Sequence, residues 1–537
     1  MGTRAGHRCT LPLVTSTPAD PARRSRDLGL ILLLALAARV LRIVLVADVV
    51  ETEGSEYGRI ATNLLQGNGY VGLIEGPELM LPPLYPYAIA ATAGVLGADV
   101  ETAGRIVSCL ASLVTVAACW LLALRAGGPG AARWTGWLTA LGTPFVLTGS
   151  AVFSEGLLMA GLVVGLVAFE RAAATRLIRW GLATGGALGL AYLARVESVL
   201  IAPGAVVLLA AGWPRRGAPG RTAWPAALAC GAAFVLVAAP YPLWVHQVTG
   251  ETTFAGKSAR VFATIERFSR GMEFEDASYA LGSKGEPEGP WLTPNEPWRG
   301  PGTLELLGGS PGPILKHLWS NMVQAGWILA SGKGVVSILW LLPIWLAWRT
   351  RERSRSTRAL DALLLWLLLH VAATAAVYKV LLRYAAPIAI PAVIWAGRGL
   401  AGRPWALVGV AVLLLSTSRG FLHGHAEFDE CRADPHASAR EMGDLLRGFA
   451  TAGDVIMADD SRAPYYAGTW WAPTPVTDSH EQLIAYARAV GARFAVVTIH
   501  YDGCRRPGSW LDETAPPAGI TSVATSSNGR MVILRID

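Results

Sequence analysis

The chain has 537 residues, of which 52% are hydrophobic and only 16% are charged. Soluble globular domains carry about 25% charged residues, so this composition and the recurring long apolar stretches predict a polytopic membrane protein instead. The net charge of +7 does not indicate a nucleic-acid partner, because the Lys and Arg residues form short clusters between apolar segments, as topology signals do.

The first 27 residues are polar and basic, and we predict that residues 1–27 are a disordered cytoplasmic tail before an uncleaved membrane helix. Eleven apolar segments then come near the roughly 20 residues that a membrane crossing needs, although a few of them are short. The predicted spans are residues 28–47, 102–124, 134–152, 156–172, 180–195, 198–213, 224–245, 328–348, 359–378, 385–398 and 404–418.

The orientation of these spans follows from the basic loops between them. If the spans alternate, all the Arg clusters fall on one face, which the positive-inside rule identifies as the cytoplasm of a bacterium. The opposite, outer face then receives two long loops, 48–101 and 246–327, and the C-terminal part of the chain. A crossing by the apolar stretch 82–98 would invert every later loop, so we predict an interfacial helix there. The clusters are Arg23/Arg24/Arg26, Arg125/Arg133, Arg171/Arg176/Arg179, Arg215/Arg216/Arg221, Arg349/Arg351/Arg353/Arg355/Arg358 and Arg398/Arg403.

The predicted organisation is therefore a transmembrane helical domain over 28–420 and a small extracytoplasmic α/β domain over 421–537. In that domain, amphipathic helices alternate with short apolar strands. The predicted helices are 440–450 and 480–492, and the predicted strands are 454–459, 493–500 and 530–536. Cys431 and Cys504 lie in this part, where a disulfide is compatible with the compartment, although their spacing leaves the pairing open.

Charged residues of both signs lie near the predicted outer helix ends, where topology does not require them. One or two carboxylates beside an Arg at a membrane surface suit group transfer from a lipid-linked phosphate. The carboxylate takes a proton from an acceptor hydroxyl, and the Arg stabilises the phosphate leaving group. Taken singly, each residue also has a structural explanation, in the helix dipole or in contacts with headgroups. The residues are Glu51, Glu53, Glu56, Glu155, Arg195, Glu197 and Arg383.

The stretches "EGSEYGRIATNLLQGNGYVG" and "EGPELMLPPLYPYAIA" resemble the first outer loop of glycosyltransferase family 39. This family includes dolichyl-phosphate-mannose protein mannosyltransferases and the aminoarabinose transferase of lipid A. The stretches "SEGLLM", "ARVESVLIAP", "TGETTFAGKSARVF" and "RYAAPIAIPAVIWAGRGL" are similar to later parts of the family. The resemblance implies the GT-C fold of membrane glycosyltransferases. It also implies transfer of one sugar from a polyprenyl-phosphate donor to a lipid, glycan or protein acceptor at the bacterial inner membrane.

The resemblance implies roles for individual residues, according to their positions in these motifs. Glu53 occupies the position of the catalytic Asp, Glu56 and Tyr57 follow it, and Glu155 matches the second acidic position. The family pattern places Arg383 near the donor phosphate, and Arg195 and Lys257 are further candidates for phosphate contacts. Tyr85, Glu197 and Tyr384 are candidates for substrate binding, with the headgroup belt as the alternative for Tyr85. All are read directly from the sequence.

Glu53 departs from the family's Asp by one methylene group, which leaves Glu51 and Glu56 as alternative bases because near-attack geometry tolerates little displacement. No cofactor is required by the pattern, although clustered carboxylates can hold a divalent metal. Two other function classes stay open. A transporter would show repeats and charges at mid-span; the sequence shows no repeat, and Asp361, near a cytoplasmic end, and His370, alone at mid-span, come nearest to such charges. A scaffold without turnover would be unaffected by substitution of Glu53.

Overall fold

The protein is described by a computed structural model that covers most of the chain. The described residues are 21–46, 49–212, 224–293, 295, 296, 300, 305, 308, 309, 311–331, 336–349, 354–377, 385–417, 436–477, 479–498, 519–529 and 531–537. Arg383, Tyr384, Cys431 and Cys504 lie outside these residues, as do the first 20 residues of the predicted tail. The helix that follows begins at Pro21, so residues 21–27 of the predicted tail are helical.

Most of the described chain is helical. The helices up to the large outer loop are α1 Pro21–Val46, α2 Thr52–Gln66, α3 Leu84–Leu96, α4 Val100–Leu141, α5 Thr143–Thr148, α6 Glu155–Thr175, α7 Ile178–Ala194, α8 Ile201–Ala210, α9 Trp224–Ala238 and α10 Pro240–Thr249. The later helices are α11 Ser258–Ser269, α12 Phe274–Tyr279, α13 Pro311–Ser331, α14 Leu341–Arg349, α15 Arg355–Val377, α16 Ala389–Leu400, α17 Ala406–Leu415, α18 His436–Leu446, α19 Arg462–Ala467 and α20 His480–Ala489.

Several of these helices have the length and composition of membrane spans. Within the described residues, α1, α4 and α6 qualify, and α9 with α10 makes a fourth if this pair, bent by 42° at Pro240, counts as one span. The apolar helices α3, α8, α14, α16 and α17 are shorter. The predicted helical membrane fold is thereby confirmed, whereas the count of eleven crossings stays a prediction.

Glycine and proline explain where the helical segments differ from the predicted spans. The span predicted at 102–124 and the beginning of the span predicted at 134–152 lie in a single element, α4, with a sharp break at Gly128, whose φ of 78° is left-handed, followed by Pro129. The second predicted span continues past the end of α4 at Leu141 into the short helix α5. Asp99 caps the start of this element, since its side chain accepts a hydrogen bond from the Thr102 amide. The predicted interfacial stretch forms α3, whose 13 residues are too few for a crossing.

The C-terminal part forms the predicted α/β unit around a five-stranded sheet with the order β2-β1-β3-β5-β4. The pairs β1–β2 and β1–β3 are parallel, whereas β5 is antiparallel to both β3 and β4. The strands are β1 Val455–Ala458, β2 Trp470–Pro473, β3 Ala492–Thr498, β4 Ile520–Thr525 and β5 Met531–Ile536. Three of these strands, β1, β3 and β5, were predicted, and β2 and β4 were not.

Helices α7 and α9 pack closely along a row of small residues. Gly181, Gly185 and Gly189 are spaced by four positions and so lie on one face of α7. A Cβ atom at Gly185 would overlap the carbonyl oxygen of Cys230 in α9. Small residues of this kind let membrane helices approach backbone to backbone, where van der Waals contacts stabilise the pair.

We predict that Gly185→Ala lowers the melting temperature of the detergent-solubilised protein, measured by intrinsic tryptophan fluorescence. The added methyl group must displace the backbone of α9, and such overpacking costs about 1–3 kcal/mol. Gly186→Ala is the matched control, because a Cβ atom there meets nothing within 4 Å. Equal melting temperatures for the two variants would contradict the close packing of α7 and α9.

Candidate active site at the helix ends

Arg195 is the centre of the candidate site. It follows the last residue of α7 in an extended conformation, and only 5% of its side chain is exposed. Its Nη1 atom lies 2.8 Å from Glu155 Oε1 and 3.4 Å from Glu53 Oε2, while its Nη2 atom lies 3.3 Å from Glu197 Oε1. Three carboxylates thus converge on one guanidinium group.

Three further side chains complete this arrangement. Lys257, from the outer loop before α11, donates to Glu197 Oε1 at 2.7 Å. The hydroxyl groups of Tyr57 and Ser154 are 2.9 Å apart, and Ser154 also accepts from Arg195 at 3.4 Å. We call Glu53, Glu155, Arg195, Glu197 and Lys257 the Arg195 cluster. Of the residues predicted from the sequence, the structure brings these five and Tyr57 together.

Two of the acidic residues, Glu53 and Glu155, lie at the beginnings of helices. Glu53 lies in the first turn of α2, and Glu155 is the first residue of α6. The amino end of a helix carries a partial positive charge that favours a carboxylate. The two side chains differ in exposure, however, since 21% of the Glu53 side chain is exposed and only 1% of Glu155. Within the cluster, Glu53 is therefore better placed than Glu155 to receive a proton from an incoming molecule.

The charges of the Arg195 cluster do not balance. Arg195 and Lys257 supply two positive charges against the three carboxylates of Glu53, Glu155 and Glu197. Burial raises the pKa of Glu197, but the opposing effects of Arg195 and Lys257 are larger together and hold that pKa well below its usual value. Glu197 is therefore ionised and engaged with two cations.

Glu56 does not join this cluster, although the motif predicted it as a catalytic residue. Its Oε2 atom accepts a hydrogen bond from the Leu73 amide at 3.1 Å. The buried Glu78 lies close by, because a Cβ atom on Gly72 would be 3.0 Å from Glu56 Oε2 and 2.7 Å from Glu78 Oε2. Burial raises the pKa of both carboxyl groups, and the negative charge of Glu78 raises that of Glu56 further. Sequence reasoning missed Glu78, whose only signal is its place in the same outer loop.

Glu51 and Tyr85 also lie apart from Arg195. The Glu51 carboxylate is buried and accepts from the Val152 amide at 2.9 Å, and burial raises its pKa. Tyr85 is fully buried, and its hydroxyl contacts Ser108 Oγ at 2.8 Å, so this side chain does not lie in an exposed headgroup belt. Its ring packs edge-on against Tyr57. Tyr85 thus supports a cluster residue from within the helical core.

His370 is a further residue that sequence reasoning did not place here. It lies within α15, and its Nε2 atom is hydrogen-bonded to the carbonyl oxygen of Glu197. The indole of Trp366, one turn earlier, donates to the Leu200 carbonyl at 2.9 Å. These two bonds hold the turn that follows Arg195. Among the described residues, no group of three or more His, Cys, Asp or Glu side chains is arranged to hold a metal ion.

Comparisons with known proteins agree with the resemblance found in the sequence. Residues 81–244 match the family model of the dolichyl-phosphate-mannose-protein mannosyltransferases. No curated protein matches the chain. The resemblance to this family is confirmed over the matched residues, which carry Glu155, Arg195, Glu197 and Tyr85.

Solved structures of membrane glycosyltransferases are similar over most of the chain. The oligosaccharyltransferase AglB from Archaeoglobus fulgidus, in complex with an inhibitory peptide and dolichol phosphate, has a TM-score of 0.55 at 13% identity, covering 89% of this chain and 69% of that one. ArnT from Cupriavidus metallidurans, bound to undecaprenyl phosphate, has a TM-score of 0.47 at 15% identity, covering 96% and 98%. The mycobacterial arabinofuranosyltransferase AftD has a TM-score of 0.47 at 14% identity, covering 97% and 40%. The likeness to AglB shows that the chain has the predicted GT-C fold.

The Glu56–Glu78 pair predicts a dependence of stability on pH. A carboxyl group whose pKa is raised in the folded state contributes stability below its unfolded pKa, about 4.3, and loses it as the pH rises through the folded value. Thermal unfolding in detergent should therefore occur at lower temperature as the pH is raised from 5 to 9. Glu78→Gln should flatten this dependence, whereas the exposed Glu75→Gln, in the same loop, should leave it unchanged. Parallel profiles for the native chain and Glu78→Gln would contradict the pairing.

Proposed function

We propose that this protein is a membrane glycosyltransferase that moves one sugar from a polyprenyl-phosphate donor to an acceptor at the outer face, with Glu53 as general base. The observation that carries the proposal is the convergence of Glu53 and Glu155 on Arg195 at the outer helix ends, with Glu53 partly exposed. The family model names a dolichyl-phosphate sugar as donor, and AglB, which shares the fold, binds dolichol phosphate. Both support a lipid-linked donor.

The proposed reaction is a direct displacement with inversion at the sugar. The acceptor hydroxyl attacks the anomeric carbon while its proton passes to the Glu53 carboxylate. The bond between the anomeric carbon and the phosphate oxygen breaks, and polyprenyl phosphate leaves with the electron pair. Arg195 keeps Glu53 and Glu155 at fixed positions before the substrates arrive, which removes reorganisation from the barrier.

The donor phosphate requires positive charge, and within the Arg195 cluster the two cations are shared among three carboxylates. We propose that Arg383, with Tyr384 beside it, supplies contacts to the donor, as the motif suggests. Lys257 is the cluster cation with the greater exposure, at 20% of its side chain, and is the second candidate. A divalent metal would serve the same electrostatic purpose.

We also propose the membrane arrangement that this reaction needs. A multi-pass protein of the bacterial inner membrane, with a cytoplasmic amino terminus and about eleven crossings, places the Arg195 cluster on the periplasmic side. The transmembrane domain then covers 28–420 and the extracytoplasmic domain 421–537. A lipid donor accounts for a site at the bilayer edge, and the acceptor is a lipid, a glycan or a protein.

The test uses purified protein in lipid vesicles with synthetic polyprenyl-phosphate sugars and a membrane extract as acceptor. Release of free polyprenyl phosphate is expected for the native chain. Glu53→Gln should lower the rate by about 10²- to 10⁴-fold, the usual loss for a general base, while Glu75→Gln in the same outer loop serves as the matched control.

Three other outcomes would change the proposal. Equal rates for the native chain and Glu53→Gln would exclude Glu53 as the base, and a loss with Glu56→Gln instead would assign that role to Glu56. No release from the folded native chain with any donor would contradict the enzyme and favour a scaffold. Movement of intact donor between leaflets without release would favour a transporter.

A further inference from the structure

The helix that carries Glu53 has two opposite faces with different partners. In α2, Glu53, Tyr57 and Ile60 share the face toward the membrane helices, and Tyr57 is hydrogen-bonded to Ser154 there. Positions 52, 55 and 59 share the other face, because residues three and four apart are neighbours on a helix. That face contacts residues 460–471 of the C-terminal unit, which we call the 460–471 segment.

Short polar contacts join the first turn of α2 to this segment. The hydroxyl groups of Ser55 and Ser461 are 2.8 Å apart, and both residues are buried. Ser461 Oγ also donates to the Thr52 carbonyl at 3.4 Å, and Thr52 Oγ1 donates to Asp460 Oδ2 at 3.5 Å. The buried Asp460 is itself fixed by two bonds from the guanidinium group of Arg462, at 2.7 and 2.8 Å.

Arg59 caps the end of α19, the helix within the 460–471 segment. Its guanidinium nitrogens lie 3.1 Å from the Thr469 carbonyl, 3.2 Å from Gly468 and 3.4 Å from Tyr465. The last carbonyl groups of a helix lack partners within the helix and carry a partial negative charge. A cation on α2 therefore satisfies the carboxyl end of a helix in the C-terminal unit.

The backbone of α2 also approaches the side chain of Tyr465 closely at Gly58. A Cβ atom there would lie 2.7 Å from the Tyr465 hydroxyl and 3.0 Å from the nearest ring carbon. The residues before and after α2 are also hydrogen-bonded to the 460–471 segment. The Val50 amide donates to the Tyr466 hydroxyl at 2.7 Å, and the Trp471 amide donates to the Leu73 carbonyl at 2.9 Å.

We propose that the C-terminal unit positions the catalytic base. The 460–471 segment fixes α2 from its outer side, so that the Glu53 carboxylate stays 3.4 Å from Arg195 and in line with the reacting atoms. Gly58 and Arg59 are positioning residues that act through Glu53 without touching substrate. This inference rests on the proposed function, and it gives the C-terminal unit a part in the chemical step as well as in any acceptor recognition.

The first test is a double-mutant cycle on turnover in lipid vesicles. Gly58→Ala pushes α2 away from Tyr465, and a displacement of this size should lower kcat by about 10- to 100-fold, with little change in the KM for the donor. In a Tyr465→Ala background the same substitution should cost far less, because the three atoms that it would meet are absent. Gln66→Ala, an exposed change at the end of α2, is the control for the helix itself.

A loss from Gly58→Ala of the same size in both backgrounds would overturn the proposal, since the effect would then not pass through Tyr465. A rise in KM with unchanged kcat would overturn it as well, because positioning of the base acts on the chemical step. Arg59→Lys should retain more of kcat than Arg59→Met, because Lys keeps a charge near the carbonyl groups of α19. Equal kcat values for these two variants would exclude capping as the role of Arg59.

The second test does not depend on activity. The Oγ atoms of Ser55 and Ser461 are 2.8 Å apart, so the double variant Ser55→Cys/Ser461→Cys places two thiol groups close together as a test for a disulfide. Oxidation should link the two positions, shown by mass spectrometry of the joined peptides, and the linked protein should keep its turnover. Absence of the link, or activity that returns only on reduction, would overturn the proposal. A link that forms in a chain without any activity would instead contradict the proposed function alone.

Discussion

The candidate site depends on one buried cation. Arg195 makes contacts with Glu53, Glu155 and Glu197, which come from α2, α6 and the turn after α7. In the sequence, Glu155 lies 40 positions and Glu53 lies 142 positions from Arg195, whereas Glu197 lies in the same turn as Arg195. Removal of one partner from a buried ion pair costs about 3–5 kcal/mol, because the remaining charges lose their compensation. Arg195 therefore joins the start of α2 and the start of α6 to the end of α7, as well as organising the carboxylates.

The packing of the helices brings the ends of α2, α6 and α7 together, and other contacts than the Arg195 cluster also stabilise that packing. The α7–α9 pair relies on glycine, and a separate buried pair, Asp361 with Arg398 at 2.5 Å, joins two other helices. Polar groups at membrane depth are costly unless they are paired, and both arginines satisfy this condition. The difference is that Glu53, bound to Arg195, keeps part of its surface exposed, whereas Asp361 and Arg398 are each only 5% exposed. Exposure separates a site that can meet a substrate from an ion pair that only joins helices.

The residues of the Arg195 cluster could be predicted from the sequence more completely than the strands and contacts around them. Glu53, Glu155, Arg195 and Glu197 could be predicted because the alternation of the spans and the family motifs both place them at outer helix ends. Strands β2 and β4 were missed, since "WWAP" is four residues long and ends in proline and "ITSVAT" has no apolar run. Glu56 could not be placed relative to Arg195 from the sequence, because motif spacing gives the position on a helix and not the rotation of the side chain. The contacts of α2 with residues 460–471 span about 400 positions, and no local pattern reports such a pairing.

The placement of α2 explains why the chain needs support on both faces of this helix. With 15 residues, α2 is marginal as an isolated helix in water, and its orientation depends on tertiary contacts. On one face, Arg195 attracts Glu53 through charge, which acts over distance but tolerates a range of geometries. On the other face, the Ser55–Ser461 hydroxyl contact and the approach of Gly58 to Tyr465 act only at short range. Charge alone would hold the carboxylate near the cation, and the short-range contacts restrict its position further, as the proposed transfer of a proton to Glu53 would require.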